Sequence, residues 1–466
     1  MQNFSNLARL RNIRLKDKHL LLMTGFSHDL RAIGHIDNIP WFVDGALQGE
    51  KVQVHALKQH AHRVDAELVA VEQAAAARIK PACEYCTRCG GCDLQHIPHA
   101  EQIRLKQQVL LEQLQRLGKV VPAELLPPLF GRAWAYRRRA RLACKWSSDK
   151  KQLQLGFRAR HSREIVEIKH CAVLLPALEA LIVPLRDCLA KWSQPRQLGH
   201  VELLAADNGV AINLRVMAMP TMEDKAALQA FAATTQAQVY LQTEENAAQI
   251  FFAGMHNPFI FSDADSATQY SCVPGDFVQG NAELNGMLIN AVSGALAPCI
   301  SDRVLEAFCG LGNFTWPLAA KVAHITALEL HAPMLSRARK QAQALGFEHI
   351  DWREVNLENF SATTMKQEKY NKVLLDPPRH GAQTFCQEVD LSAIELMVYV
   401  SCNPSTLARD AAILTARGVV LHSVQLVDMF PQTHHMEVVA KFVKPLLKKQ
   451  KTDVKQLKKA KSFKIR

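Results

Sequence analysis

Apolar and polar positions alternate in short runs through the first part of the chain. HLLLMTGFS, AIGHID, PWFVDGAL, EKVQVHAL and RVDAELVAVE are separated by Gly, Asp and Asn. Period-two alternation marks strands buried on one face, and five of them in about sixty residues predict a small β-barrel of the oligonucleotide-binding sort. The period changes in EQIRLKQQVLLEQLQRL (101–117), where Ile103, Val109, Leu110, Leu114 and Leu117 share one broad helical face. Residues 130–262 mix strand-like stretches (ARLACKW, LQLGFRA, HVELLAA, VAINLRV) with short helices, an α+β pattern. From 302 onward strand and helix alternate: RVLEAF (303–308), HITALEL (324–330), HIDWREV (349–355), NKVLLD (371–376), IELMVYV (394–400), GVVLHSVQLV (418–427) and EVVAKFV (437–443), with APMLSRARKQAQAL (332–345) among the helices. That rhythm predicts an α/β doubly wound sheet, mostly parallel, whose last two strands pair antiparallel across MFPQTHHM.

The chain therefore divides into a barrel at 15–73, a cysteine segment of the central domain at 74–92, a helix at 93–125 packing on the last sheet, a central α+β domain at 126–265, the doubly wound domain at 266–443 and a basic tail at 444–466. The tail carries ten Lys or Arg against Asp453, so it supplies +9 of the net charge of +12. It reads as a phosphate-touching polycation or a solubilising extension. YRRRAR (136–141) and FRARHSR (157–163) are local basic spots in an otherwise nearly neutral body. Charge thus suggests nucleic acid as a partner. No window approaches eighteen consecutive apolar residues, and the basic N-terminus has no apolar stretch behind it, so neither a membrane span nor a secretory signal is expected. Twelve cysteines suit the reducing cytoplasm.

Candidate chemistry lies at the carboxyl ends of the last set of strands. Gly310 and Gly312 allow a sharp turn after RVLEAF, with helix amides facing a ligand. Glu329 ends the next strand, where a carboxylate can accept ribose hydroxyls, and Asp376 enters a loop stiffened by two prolines. The third glycine of a dinucleotide fingerprint is missing, so the set fits S-adenosylmethionine better than NAD. Cys402 emerges at the same edge before a helix start that would favour its thiolate. Glu437 begins the final strand and is expected to face the crevice from the other side. His434 and His435 are adjacent and point in different directions, a poor metal pair.

CEYCTRCGGC places Cys83, Cys86, Cys89 and Cys92 at intervals of three. The spacing alone leaves tetrahedral zinc, a [4Fe–4S] cube and a C-x-x-C redox pair open.

As a group, SCNPSTLARD, FCGLGNFT, LLDPPR, DFVQGN, YRRRAR and CGGC resemble the bacterial RNA uracil-5 methyltransferases, over nearly the whole chain to about residue 443. The resemblance implies an S-adenosylmethionine-dependent methyltransferase sheet, an N-terminal TRAM barrel that helps hold RNA, and an activity on the uridine at position 1939 of 23S ribosomal RNA. Sister specificities are uridine 747 of the same RNA and uridine 54 of transfer RNA; from another class, a non-catalytic RNA-binding protein is the alternative. It further implies Cys402 as nucleophile, Glu437 as general base, and Gln279, Phe308, Asn313, Glu329, Asn356 and Asp376 around S-adenosylmethionine. A [4Fe–4S] cluster on Cys83, Cys89, Cys92 and Cys171 is implied too, with Cys86 spare. The enzyme is expected to be a cytoplasmic monomer without membrane contact. Two departures from the family pattern are Glu306, where aspartate is usual, and Gly280, where an apolar residue often sits.

Overall fold

The computed structural model describes residues 17–243, 249–252, 259–262, 269–273, 275–365 and 368–445. The expected basic tail, apart from its first two residues, lies outside them.

Lys18–Phe26, Ala32–Ile36, Ile39–Val43, Lys51–Gln59 and Val64–Gln73 close into the expected barrel. The first strand pairs antiparallel with the fourth, and the third runs parallel to the fifth. Leu21, Met23, Trp41, Val43, Val52, Val54, Val64 and Ala66 fill the interior, as alternation along each strand requires. Next comes a seven-stranded central sheet in the order Gln249–Phe252, Gln238–Gln242, Gly209–Val216, Leu198–Ala206, Arg139–Ser147, Gln152–Arg158, Ile165–Glu167.

The third sheet has eight strands: β1 (Glu124–Leu129), β2 (Arg303–Ala307), β3 (His324–Glu329), β4 (Ile350–Glu354), β5 (Lys372–Leu375), β6 (Leu396–Ser401), β7 (Val420–Val427) and β8 (Glu437–Val443). Their spatial order is β4-β3-β2-β5-β6-β8-β7-β1. All pairings are parallel except those of β8, which is antiparallel to both β6 and β7. Val304, Leu374 and Val398 face one core, while Leu305, Val373 and Met397 face the other. Burial on both faces is why these strands read as continuous apolar runs.

The periodicity did not announce β1. Its sequence, ELLPPL, contains two prolines, which cannot donate to a ladder; as the edge strand, paired only with β7, it tolerates them. The expected division at residue 126 therefore falls inside a strand of the last sheet. The division at 265 falls between Phe259–Ser262 and Gln269–Cys272, which pair with each other.

Helix α1 (His99–Gln113) buries Gln102, Ile103, Leu105, Lys106, Val109 and Leu110. It then widens into a π turn, Leu114–Gly118. The extra residue in that turn rotates Leu117 away from the apolar face, so this leucine, expected inside, is 56% exposed. At Gly118 a Cβ would stand 2.6 Å from the Ala408 carbonyl oxygen, so only glycine allows α1 to dock this closely on the helix that follows β6.

Candidate active site

Parallel strands deliver their following loops to one edge, and four of the expected residues arrive there: Phe308 after β2, Glu329 at the end of β3, Asp376 after β5 and Cys402 after β6. The turn after β2 is left-handed at Phe308 (φ 65°), Gly310 (58°) and Gly312 (95°). A side chain on Gly312 would put Cβ 2.7 Å from Trp316 Nε1, so both backbone angle and space demand glycine there.

Glu329 is held by three backbone amides. Gly310 N donates to Oε2 at 3.1 Å, and Leu330 N and His331 N donate to Oε1 at 2.8 and 3.0 Å. A carboxylate accepts about four hydrogen bonds, so one position on Oε2 remains for a ligand hydroxyl, fewer than the pair anticipated. Asn313 exchanges two amide bonds with Asn285, at 2.9 and 3.1 Å. Asn356, exposed, caps a short turn by accepting Glu358 N at 3.0 Å, near Glu329 because Val355 N donates to Glu329 O. Gln279 is buried, and its carbonyl oxygen accepts Arg138 Nε at 2.7 Å. Arg138 is thus a buried structural residue, 4.6 Å above the Phe261 ring, and not part of the basic surface that YRRRAR suggested.

Register fixes the relation of Cys402 to Glu437. Ser401 of β6 pairs with Val438 of β8, the last pair of that ladder. Cys402 follows β6 directly and Glu437 begins β8, so the two stand near each other at this edge, close enough for the Glu437 carboxyl to act on the Cys402 thiol. Asn403 holds the turn between them and the neighbouring loop: its Oδ1 accepts Ser405 N at 3.1 Å, and its Nδ2 donates to Arg379 O at 3.0 Å.

The electrostatics oppose the expected thiolate. Burial, then Glu437 and Asp376, push the Cys402 thiol up to about 12, with Arg379 pulling the other way. Burial and then Asp376 raise Glu437 well above the usual carboxylate range, again against Arg379. Burial also lifts Asp376 to about 7. Glu306, beneath the glycine turn, is pushed up to about 8 by burial even though Thr315 Oγ1 donates to its Oε2 at 2.6 Å. The crevice is therefore a set of desolvated acids facing one guanidinium.

Cys83, Cys86, Cys89, Cys92 and Cys171 all line one cavity of about 170 Å³. The segment docks on the central sheet: Gly90 N donates to Arg158 O at 2.9 Å, and Arg160 Nη2 donates to the carbonyl oxygens of Cys86, at 3.0 Å, and Cys92. Burial drives Cys92 to about 12 and Cys86 and Cys171 to about 11. Among the described residues no three His, Cys, Asp or Glu side chains converge in a metal-holding arrangement; the thiols stand around the cavity wall. Beside it, a cleft of about 600 Å³ joins barrel, cysteine segment, central sheet and the loop before β8, lined by Arg31, Arg141, Arg158, Arg160 and His434 among others. Arg141 and Arg158 also line a second cleft of about 410 Å³ with His200 and Arg215.

Sequence reasoning missed the residues that fasten the loop between β7 and β8. Lys106 Nζ meets Asp428 Oδ1 at 2.5 Å with both side chains fully buried, and His99 Nε2 meets Oδ2 at 2.7 Å. Tyr136 donates its hydroxyl to Pro431 O at 2.9 Å, and Gln102 Nε2 donates to Gln432 Oε1 at 3.0 Å. Gln102 and Lys106 lie one turn apart on the apolar face of α1; two polar residues at that spacing were the available signal. His434 and His435 take different partners, Asp93 and Arg379.

Parallel strands around a glycine turn, a carboxylate ending the second of them and an acid entering a proline-stiffened loop beside the third define an S-adenosylmethionine-dependent methyltransferase. The model of the tRNA (Uracil-5-)-methyltransferase family matches residues 132–444, and the chain belongs to that family. A 23S rRNA (uracil(1939)-C(5))-methyltransferase, RlmD, of Pseudomonas putida is 41% identical over 415 residues, covering 89% of this chain and 91% of that protein. The RlmD of Shewanella halifaxensis is 37% identical, covering 92% and 96%. The tRNA (uracil-54, C5)-methyltransferase of Pyrococcus abyssi, solved with S-adenosyl-L-homocysteine, shares the fold with a TM-score of 0.70 at 20% identity, covering 91% of this chain and 99% of that one. No helix among the described residues is long and apolar enough to cross a membrane.

Proposed function

We propose that this chain methylates C5 of a uridine in 23S ribosomal RNA, the uridine at position 1939, to give 5-methyluridine. The observation that supports the chemistry is the β6–β8 ladder, which ends at Ser401–Val438 and leaves Cys402 and Glu437 beside its last pair, at the edge where the glycine turn and Asp376 also emerge. The choice of RNA and nucleotide is supported by relatives of 37–41% identity that carry that activity in their names.

The crevice suits S-adenosylmethionine: Gln279, Phe308, Asn313, Glu329, Asn356 and Asp376 would line it, with the open position of Glu329 Oε2 for a ribose hydroxyl. When bound, the cofactor supplies an electrophilic methyl group. Uracil C5 is too weak a nucleophile to take it unaided. Cys402 loses its proton to solvent water, and the thiolate Sγ adds to C6, which moves the C5–C6 electron pair into a C5–C4–O4 enolate and makes C5 nucleophilic. Once C5 is methylated, Glu437 removes the C5 proton, the C5–C6 double bond re-forms, and Sγ leaves with the bonding pair. Arg379 offsets the charge of both groups. The uracil must leave its stack to reach them.

A [4Fe–4S] cluster is supported by the five thiols that line the cysteine cavity, a soft donor set. Cys83, Cys89, Cys92 and Cys171 would hold it, with Cys86 spare. No methyl-transfer residue lines that cavity, so the cluster's contribution is to bind the segment to the central domain.

Purified protein given S-adenosylmethionine and 23S rRNA should form 5-methyluridine at one site, and Cys402→Ala should bind RNA without methylating it. Methylation of transfer RNA alone would overturn the ribosomal assignment. Normal turnover by Cys402→Ala would overturn the mechanism. Iron and sulfide analysis after anaerobic purification tests the cluster.

A further inference from the structure

Cys92 is followed directly by the residue that grips the loop leading into Glu437. Asp93 Oδ1 accepts His434 N at 2.8 Å, and Oδ2 pairs with His434 Nδ1. Asp93 N and Leu94 N both donate to Gln432 O at 3.0 Å. Gln102, fully buried, completes the clamp: its Oε1 accepts Gln432 N at 2.9 Å, and its Nε2 reaches Leu94 O and Ile97 O at 3.1 and 2.9 Å. One amide side chain thus ties the cysteine segment and the catalytic loop together. Gln432 itself is left-handed (φ 69°), a strained conformation for a residue with a Cβ, kept only where surrounding bonds over-determine it. From His434 the chain passes through His435, whose Nε2 takes Arg379 Nη2 at 3.2 Å, to Glu437 at the start of β8.

From this geometry we infer that Asp93 is a positioning residue for the catalytic base: its carboxylate, through His434, fixes the loop that aims Glu437 and links the cysteine segment mechanically to the methyl-transfer crevice. The inference rests on the proposed role of Glu437 as base. Elimination needs a base aligned with the C5 proton, and misplacement by an ångström is expensive, whereas addition of Cys402 does not use Glu437. A misaimed base should therefore stall the reaction after methyl transfer, with RNA still attached to Cys402.

The test compares Asp93→Ala, His434→Ala, their double variant and Glu437→Gln in the full-length protein, with RNA and S-adenosylmethionine. Asp93→Ala is expected to lower kcat about tenfold, leave KM for RNA within about twofold, and accumulate a covalent protein–RNA band on denaturing gels, as Glu437→Gln does. His434→Ala tests the same contact without touching the cysteine segment, and the double variant should be no worse than the poorer single one. A raised KM with kcat unchanged would overturn the inference, because Asp93 and His434 also line the large cleft and would then be RNA contacts. So would adduct in Glu437→Gln alone. Absence of adduct in every variant would instead remove the base assignment. Amide exchange across 428–437 then decides: protection in Asp93→Ala equal to that of the parent overturns the inference, and lost protection upholds it.

Discussion

Arg379 donates from Nη2 to the Nε2 of His435 at 3.2 Å, which fixes the one guanidinium acting on both Cys402 and Glu437. The imidazole can accept only while neutral, and burial, with help from His434 and Arg379, holds His435 down near 3. Removing the guanidinium as Arg379→Gln should raise both Cys402 and Glu437 further. Cys402 must lose its proton before methyl transfer, so the rate of that step should climb with pH, and in the variant that climb should move up by about one pH unit. Stopped-flow methyl transfer across pH 6–10 measures it; an unmoved profile would remove Arg379 from the mechanism.

Asp376 gives a stability prediction with a definite sign. Folded, it keeps its proton to about 7, against 3.8 for the ordinary group. Between these values the native state binds more protons than the unfolded chain, so this group's contribution falls as pH rises through the window and is least favourable above it. Asp376→Asn should therefore stabilise the protein by roughly 1–3 kcal/mol at pH 8, with the gain vanishing towards pH 4, while methylation is lost. Thermal unfolding of both proteins at several pH values checks the trend.

Glu329→Ala should weaken S-adenosylmethionine binding by roughly 10- to 100-fold, the worth of a charge-assisted hydrogen bond, and leave RNA affinity unchanged. Calorimetric titration of the cofactor separates the two. The amides of Gly310, Leu330 and His331 would lose their shared acceptor, so a fall in melting temperature should accompany the loss.

Arg141 and Arg158 stand at the junction of two clefts. If the RNA backbone crosses there, alanine at each should weaken binding at low salt and reduce the slope of log affinity against log salt by about one per residue. Filter binding between 50 and 300 mM salt reads both quantities. An unchanged slope would place the phosphates elsewhere.

The carboxyl-edge residues were legible because strand ends are written in the sequence: an apolar run stopping at Gly310, Glu329, Asp376 or Cys402 places each on the same rim. Electrostatics were not legible. The helix start beside Cys402 argued for a thiolate, but only the fold reveals that Asp376 and Glu437, 26 residues before and 35 after it, share its desolvated crevice. Leu117 was misread because a single π turn breaks the helical period without any marker in residue type. Arg138 looked like surface charge among three consecutive arginines, yet Gln279 and Phe261, far along the chain, bury it. Asp93 escaped notice because the cysteines next to it dominate the local pattern.

The edge strand β1 has a bearing on how the protein is made. Glu124–Leu129 leaves the ribosome early, yet the strand it pairs with, β7, follows roughly 300 residues later. At bacterial elongation rates of about 5–20 residues per second, that is an interval of some fifteen seconds or more. Meanwhile the barrel and the central sheet, whose strand partners are all already synthesised, can fold around it. The catalytic sheet is thus closed last, by a strand made long after its edge partner, and the barrel and the central sheet can be in place on the nascent polypeptide before it can transfer a methyl group.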